Sequence, residues 1–179
     1  VLQLCQAEVY AFDIETSGLN VMDADLVGMS FSVKASEAWW VPVQSSDWDE
    51  ATLLKALDPV FSDPKKEVVA HHFKFDYKVL ARRGVRIVNR LFDTMIAHYL
   101  IQPETSHKLG RLAETELGYA TIPLTDLIGK SGKGQISLSD LDPISITDYA
   151  CESADVTLQI RSRLLPQLQD VVAKSLFEE

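Results

Sequence analysis

Cysteine is scarce in this sequence. Only Cys5 and Cys151 occur among 179 residues, and they match neither a metal-binding spacing nor a disulfide framework. Each is interpreted as a small buried or semi-exposed side chain rather than a nucleophile. Because disulfides are not expected, a reducing compartment is the default, and we expect a cytoplasmic location.

Long apolar runs are also missing. No stretch of about 18 apolar residues is present and no basic-then-apolar leader opens the chain, so we expect no membrane partner. Internal repeats and low-complexity linkers are lacking as well. The length predicts one domain, 1–179, that is monomeric in isolation. Its start at Val1 rather than Met suggests a piece excised from a longer protein.

Positive charge is in deficit. There are 17 Lys and Arg against 26 Asp and Glu, which gives a net charge of −9. This balance argues against a domain that grips a long duplex through a basic face. It is compatible with a partner that is held through bound metal ions or delivered by a neighbouring domain.

The stretch from 9 to 19 carries the strongest chemical signal. It alternates as a strand does, with one apolar face and with Asp13 and Glu15 together at the end of the other face. Side chains two apart on a strand lie about 6.5–7 Å from each other. Two adjacent anions on a mostly buried strand repel each other and need a cation, and hard divalent ions suit oxygen ligands. The alternative is that Asp-x-Glu marks only the place where the chain leaves the core.

The remaining pattern predicts an α/β domain with a mixed sheet. Further strands are predicted at 26–33, 37–43, 67–71 and 85–88, the first two forming an antiparallel meander with 9–15. Helices are predicted at 49–63, 73–84, 92–100, 108–117 and 144–169, the last starting after Asp142 and Pro143. Residues 121–140 are predicted to form a flexible surface loop that borders a substrate. Its Gly129-Lys130-Ser131 lacks the spacing and the preceding strand of a phosphate-binding loop.

Two helices bring further polar side chains into consideration. Asp76 falls in the first turn or two of a helix that follows a buried strand, so it can point across the end of the sheet. Tyr149 falls on the last helix, and Ser153 follows one turn later on the same face.

Taken together, four segments resemble the proofreading 3′→5′ exonuclease domain of bacterial family A DNA polymerases, the DNA polymerase I type. That domain is a DEDDy exonuclease with a ribonuclease-H-like fold. The segments occur in the order and at the spacing of the family over nearly the whole chain. They are 12–19, 72–76, 92–95 and 149–158. The resemblance implies an α/β fold with a mixed five-stranded sheet flanked by helices.

The resemblance also implies a role for each matching residue. Asp13 would bridge two metal ions, Glu15 would bind the first ion and help to orient the attacking water, and Asp76 would hold the second ion largely through its waters. Tyr149 would position the nucleophilic water, and Leu19 would wedge against the terminal bases. The implied reaction is two-metal hydrolysis that releases nucleoside monophosphates, with Mg²⁺ or Mn²⁺ as the ions.

The implied partners are the single-stranded 3′ end of DNA and a covalently linked polymerase domain. A few unpaired nucleotides would be held by phosphate and stacking contacts. Thr16 is a candidate contact, and so is His72, which stands where the family usually has Asn. Lys74 is a weaker candidate, because a solvated helix face explains it equally well. Lys130 and Lys133 are the better candidates for the backbone of the strand.

One position departs from the family in a way that matters for catalysis. The fourth metal-binding Asp of the family corresponds to Ser153, whose neutral hydroxyl is a poor ligand for a hard cation. At about 100° per helical residue, neither Glu152 nor Asp155 shares its direction. Three interpretations stay open. They are an exonuclease of reduced activity in which Ser153 acts through a water, an inert spacer or weak single-strand binder beside a polymerase, and a stand-alone DEDD ribonuclease, which the family A motifs disfavour.

Other polar residues receive structural interpretations. Asp93 is predicted to be a helix cap or a structural anion rather than a metal ligand. His98 and His107 are interpreted as structural or solvated, and the pair at 82–83 as helix-face cations.

Overall fold

Five strands and seven α-helices make up the described part of the chain. The computed structural model describes residues 1–43, 45, 47–169 and 177. The elements, in chain order, are α1 (Leu2–Gln6), β1 (Val9–Thr16), β2 (Leu26–Lys34), β3 (Glu37–Pro42), α2 (Glu50–Phe61), β4 (Glu67–Ala70), α3 (Phe73–Ala81), β5 (Arg90–Asp93), α4 (Thr94–Ile101), α5 (Leu109–Leu112), a π-helical turn (Ala113–Leu117), α6 (Leu124–Ile128), a 3₁₀ turn (Leu138–Asp140) and α7 (Pro143–Gln169).

The strands form one mixed sheet in the order β3-β2-β1-β4-β5. Strands β1, β2 and β3 pair antiparallel, as the short links between them predict, whereas β4 pairs parallel with both β1 and β5. The predicted fold class, an α/β domain with a mixed five-stranded sheet flanked by helices, is confirmed. Parallel pairing matters for function because it places the carboxyl ends of β1 and β4 at the same edge of the sheet.

The alternation along β1 divides the core between the two faces of the sheet. Tyr10 and Phe12 are fully buried on the face that α2 and α3 cover, and the Phe12 ring packs against Phe31, Phe61 and Phe73. Ala11 points to the other face and packs with side chains of α4, α5 and α7. Burial of such large aromatic rings supplies much of the driving force for folding. It also anchors the strand whose end carries Asp13 and Glu15.

Helix α7 crosses the sheet and begins where the sequence predicts. The Asp142 carboxylate accepts the Ile144 amide at 2.8 Å, and Pro143 takes the first helical position, where a missing N–H costs nothing. The helix packs against β1, β2, β3 and α4. Pro166 lies inside the helix and does not end it. None of the helices in the described part of the chain is long and apolar enough to cross a bilayer.

Four local predictions are wrong. No strand forms at 85–88; the last strand is β5, where residues 90–93 pair in register with 67–70. Because Phe92 and Asp93 belong to that strand, the following helix starts at Thr94 instead of 92. The predicted helix 108–117 is divided into α5 and a π-helical turn, although Gly118 stops it with φ 66° as expected. Within 121–140, α6 and the 3₁₀ turn interrupt the predicted loop.

Candidate active site

Four side chains from three elements line one cleft at the carboxyl ends of β1 and β4. Asp13 and Glu15 come from β1, Asp76 from the first turn of α3, and Tyr149 from α7. The cleft has a volume of about 580 Å³. We call it the carboxylate cleft. These residues are 136 positions apart at most in sequence, from 13 to 149, and the fold brings them together.

Local structure explains why each carboxylate points into the cleft. The face of β1 that carries Asp13 and Glu15 lies opposite the aromatic core, because successive strand side chains alternate. Asp76 reaches the same place because only two residues separate the end of β4 from the start of α3. Glu15 and Asp76 are almost fully buried, with 7% and 3% of their surface exposed.

Among the described residues, none of the three carboxylates forms a salt bridge, although a backbone hydrogen bond of Ile14 partly offsets the effect of burial at Asp13. Burial raises the pKa of Asp13 to about 7. Burial raises the pKa of Glu15 well above its usual range, and the charge of Asp13 raises it further. The pKa of Asp76 is raised well above its usual range by burial and by the charges of Asp13, Asp93 and Glu15. Crowded, buried carboxylates of this kind are stabilised by a cation or by bound protons.

The donor set suits hard divalent cations. One oxygen of Asp76, Oδ2, is buried without a hydrogen-bond partner among the described residues, so it is free to bind an ion or its waters. All three acidic side chains offer oxygen, as Mg²⁺ and Mn²⁺ prefer. Within the described residues, no three His, Cys, Asp or Glu side chains are already gathered closely enough to hold one ion. The carboxylates share a cleft, and any ion there would draw on waters and substrate oxygens as well.

Tyr149 faces the carboxylates with a neutral phenol. Its pKa is raised by burial and then by the charges of Glu15 and Asp13, so its hydroxyl keeps its proton throughout the physiological range. A phenol in this state can donate one hydrogen bond and accept others. It is therefore suited to orienting a water molecule.

Ser153 lies one turn beyond Tyr149 and is buried, with 8% of its surface exposed, but it does not line the cleft. Its acidic neighbours are engaged elsewhere. Glu152 accepts hydrogen bonds from the Tyr119 hydroxyl and the Ile122 amide, both at 2.7 Å. Asp155 accepts the Ser36 amide at 2.7 Å. Neither carboxylate takes the place of the missing fourth one.

The predicted substrate contacts fall into two groups. Thr16, Leu19 and His72 line the cleft, and Leu19 is 90% exposed. Lys74, Lys130 and Lys133 are exposed and do not line it. The loop that carries Leu19 is fixed from α3, where Arg82 Nη1 donates to the Val21 carbonyl at 2.6 Å and Arg83 Nη2 to the Ala24 carbonyl at 3.1 Å. The two arginines thus hold this loop, a function that the interpretation as helix-face cations missed.

The sequence predicts that segment 121–140 borders a substrate, and this segment forms one wall of the cleft. Which of its residues line the cleft was not predicted; they include Leu124, Ile128, Gln135, Ile136, Ser137 and Leu138. The Ser137 hydroxyl donates to the Ser17 carbonyl at 2.9 Å and ties this wall to the loop after β1. Apolar residues such as Ile136 within an otherwise polar loop were the available signal. They give the cleft an apolar side next to its charged end.

His71, which lines the cleft, and His98, which does not, have structural partners. His71 Nδ1 lies 2.9 Å from Thr94 Oγ1, and burial lowers the pKa of this ring to about 4, so it is neutral. His98 Nδ1 lies 2.8 Å from His107 Nδ1, and burial followed by the charge of His107 lowers the pKa of His98. The structural interpretation of His98 and His107 agrees with this pairing.

Solved structures of other proteins share this fold. NrnC of Brucella melitensis aligns with a TM-score of 0.76 and 20% identity over 99% of this chain and 81% of its own. The catalytic core of RRP6 from Trypanosoma brucei aligns with a TM-score of 0.75 and 19% identity over 98% of this chain and 45% of its own. At such identities the likeness defines the fold.

The family follows from the sequence. A family model described as 3′-5′ exonuclease matches residues 1–169, and the chain belongs to this family, the 3′-5′ exonuclease domain of DNA polymerase A. DNA polymerase I of Pseudomonas aeruginosa is 36% identical over 178 residues, which cover 94% of this chain and 19% of that protein. DNA polymerase I of Chloroflexus aurantiacus is 32% identical, covering 94% of this chain and 18% of its own length. The chain thus spans about a fifth of these relatives.

Proposed function

We propose that this domain hydrolyses the terminal phosphodiester bond at the 3′ end of single-stranded DNA with the help of two divalent ions, Mg²⁺ or Mn²⁺. The observation that carries the proposal is the meeting of Asp13, Glu15 and Asp76 in one cleft, where no described Lys or Arg forms a salt bridge with them. Membership of the exonuclease family supports the direction of attack, and the negative charge of the chain explains why metal ions are needed to approach a phosphate.

The family resemblance supplies the roles. Asp13 would contact both ions, Glu15 would hold the first and Asp76 would hold the second. Bound ions would supply an activated water and neutralise charge on the leaving 3′ oxygen. The Tyr149 hydroxyl orients the attacking water, since it is neutral and faces Glu15 and Asp13. Leu19, exposed at the mouth of the cleft, packs against the terminal base.

Ser153 sets the expected level of activity. A buried hydroxyl contributes no negative charge, so the first ion is held by Asp13 and Glu15 alone and binds more weakly than with a further carboxylate. The proposal is therefore an exonuclease of reduced activity, with Ser153 acting through a water. An inert module that serves as a spacer or weak single-strand binder is the second candidate, and the same substitution favours it.

Hydrolysis of a single-stranded oligonucleotide in Mn²⁺ separates the two candidates. We expect slow cleavage by the parent protein and at least about tenfold faster cleavage by Ser153→Asp, because a restored carboxylate strengthens metal binding. Ser162→Asp is the matched control, since it adds the same charge to an exposed position of α7 outside the cleft. We expect it to behave like the parent.

The other outcomes are equally informative. Cleavage by Ser153→Asp alone would establish the inert module for the parent chain. If neither protein cleaves while both are folded and bind metal, the assignment of catalytic residues is wrong.

The wider setting is part of the same proposal. Relatives named DNA polymerase I are about five times as long as the matched region, which supports a covalently linked polymerase domain that delivers the 3′ end. Such a protein would act in the cytoplasm, and the isolated domain is expected to be a monomer. Sedimentation of the domain with and without a single-stranded oligonucleotide tests both the monomeric state and the binding.

A further inference from the structure

Asp93 differs from every other acidic residue near the cleft in how its charge is used. Its carboxylate is 3% exposed and accepts four backbone N–H groups. Two belong to α4, from Met95 at 2.9 Å and Ile96 at 3.3 Å. The other two lie at the start of α3. They are the N–H group of His72, just before the helix, at 3.2 Å, and that of Phe73, its first residue, at 2.9 Å. A helix cap ordinarily serves one helix, whereas this carboxylate caps two.

The bonds to α3 fix a backbone conformation that the sequence does not otherwise favour. His72 has φ 65° and ψ 44°, the left-handed region, which is unfavourable for a residue with a Cβ atom. Its own side chain makes no cap bond to α3. The N–H groups that Asp93 binds are those of His72 itself and of the next residue. Asp93 therefore holds the turn from which α3 starts.

That turn determines where Asp76 lies. Asp76 is three residues after Phe73 on α3, so a shift of the helix start moves its carboxylate directly. Ligands for a hard dication must be placed within a few tenths of an ångström. With four N–H donors on its two oxygens, Asp93 is already satisfied and has little capacity left to bind an ion itself.

We propose that Asp93 is a positioning residue for the metal site, acting through the start of α3 to place Asp76. The inference rests on the proposed function, because it takes Asp76 as a metal ligand. Loss of the hydrogen bonds that Asp93 accepts from His72 and Phe73 weakens metal binding even when α3 and α4 still form.

Asp93→Ser separates the two tasks of this carboxylate. Serine is a good helix cap and keeps the bond to α4, but its single hydroxyl is too short to hold the N–H groups of α3 as well. Asp49→Ser is the matched control. Asp49 caps α2 by accepting the Thr52 amide at 2.8 Å and does not line the cleft.

Mn²⁺ affinity, measured by calorimetry on the folded domain, is the deciding quantity. We expect Asp93→Ser to weaken Mn²⁺ binding by about tenfold or more, as loss of groups that orient metal ligands does. Asp49→Ser should bind Mn²⁺ as the parent does. In oligonucleotide hydrolysis, saturating Mn²⁺ should bring kcat of Asp93→Ser back towards the parent value. General destabilisation of the fold would not lower Mn²⁺ affinity while leaving kcat at saturating Mn²⁺ nearly unchanged.

Unchanged Mn²⁺ affinity in a folded Asp93→Ser protein overturns the inference while leaving the proposed function intact. Asp13→Asn distinguishes failure of the positioning role from failure of the metal site itself. If the parent binds no more Mn²⁺ than Asp13→Asn does, the metal site and the positioning role both fall.

A measurement on the unaltered protein covers the case in which Asp93→Ser does not fold. Amide hydrogen exchange should slow at Phe73 when Mn²⁺ is added, because the ion and Asp93 restrain the same turn. The Thr52 amide, bound by Asp49, should exchange at the same rate with and without the ion. Equal exchange at Phe73 in both conditions contradicts the coupling.

Discussion

Two acidic regions border helix α7, and they differ in how their carboxylates are neutralised. On one face is the carboxylate cleft, where Asp76 Oδ2 has no partner among the described residues. On the other is a pocket of about 810 Å³ lined in part by Tyr119, Glu152 and Asp155, which we call the outer pocket. There Glu152 and Asp155 each accept two hydrogen bonds from protein donors.

The comparison shows that acidity alone does not mark a metal site. The outer pocket is the larger cavity, yet Glu152 and Asp155 there are already satisfied by hydroxyl, amide and backbone donors. The carboxylate cleft is smaller, and Asp76 Oδ2 there has no such donor among the described residues. An unsatisfied buried anion has to be compensated from outside the chain, and a divalent ion does this most effectively.

Removing one carboxylate from each region should give the largest difference between them, measured as the rate of oligonucleotide hydrolysis. Asp76→Asn is expected to lower the Mn²⁺-dependent rate of oligonucleotide hydrolysis by about 10³-fold, equivalent to about 4 kcal/mol of transition-state stabilisation. Glu152→Gln should leave the rate close to that of the parent, because its partners are structural. Equal losses in the two variants would contradict the assignment of the cleft.

A pair of tyrosines tests the same contrast with uncharged groups. Tyr149→Phe is expected to lower kcat by about tenfold, since it removes one hydrogen bond to the attacking water, and to leave Mn²⁺ affinity unchanged. Tyr119→Phe, which loses its hydrogen bond to Glu152 in the outer pocket, serves as the control and should keep its kcat. A Tyr149→Phe protein with the full rate would remove Tyr149 from the mechanism.

The pH dependence of stability should sharpen the comparison. Because the folded-state pKa of Asp13 is raised from 3.8 to about 7, the folded protein binds this proton more tightly than the unfolded chain. The resulting stability is fully present below about pH 4 and is lost as the pH rises through about 7. The metal-free domain is therefore expected to melt roughly 5 °C lower at pH 8 than at pH 5.

Two variants assign this effect to one region. Asp76→Asn should flatten the dependence, because it removes a charge from the cleft, whereas Asp155→Asn should keep it. Excess Mn²⁺ should restore the melting temperature at pH 8. A metal-free Tm that rises from pH 5 to pH 8 would show that the cleft carboxylates are not crowded as described.

The features of the fold that the sequence predicted are those determined by residues close together in the chain. The alternation around Phe12 and Asp13 predicts both faces of β1, and Asp142-Pro143 predicts the start of α7, because strand period and helix capping are local effects. The order of motifs along the chain predicted which carboxylates would meet. The positions of Asp13, Glu15, Asp76 and Tyr149 agree with that expectation, and their catalytic roles stay predictions.

The parts that sequence missed depend on distant contacts. The alternation at 85–88 is as strand-like as that of β5, and only pairing with β4 selects residues 90–93. The double cap by Asp93 joins backbone groups about 20 positions away, which no local pattern indicates. Likewise, Ile136 becomes a wall of the cleft only because Ser137 is bound to the loop after β1.

Calorimetric titration with Mn²⁺ in the presence of a nucleoside monophosphate tests the central claim most directly. The account predicts two ions per domain, one bound more weakly than the other because Ser153 supplies no charge, and neither bound by Asp13→Asn. Binding of no ion by the parent, or equal binding by the parent and Asp13→Asn, would contradict it.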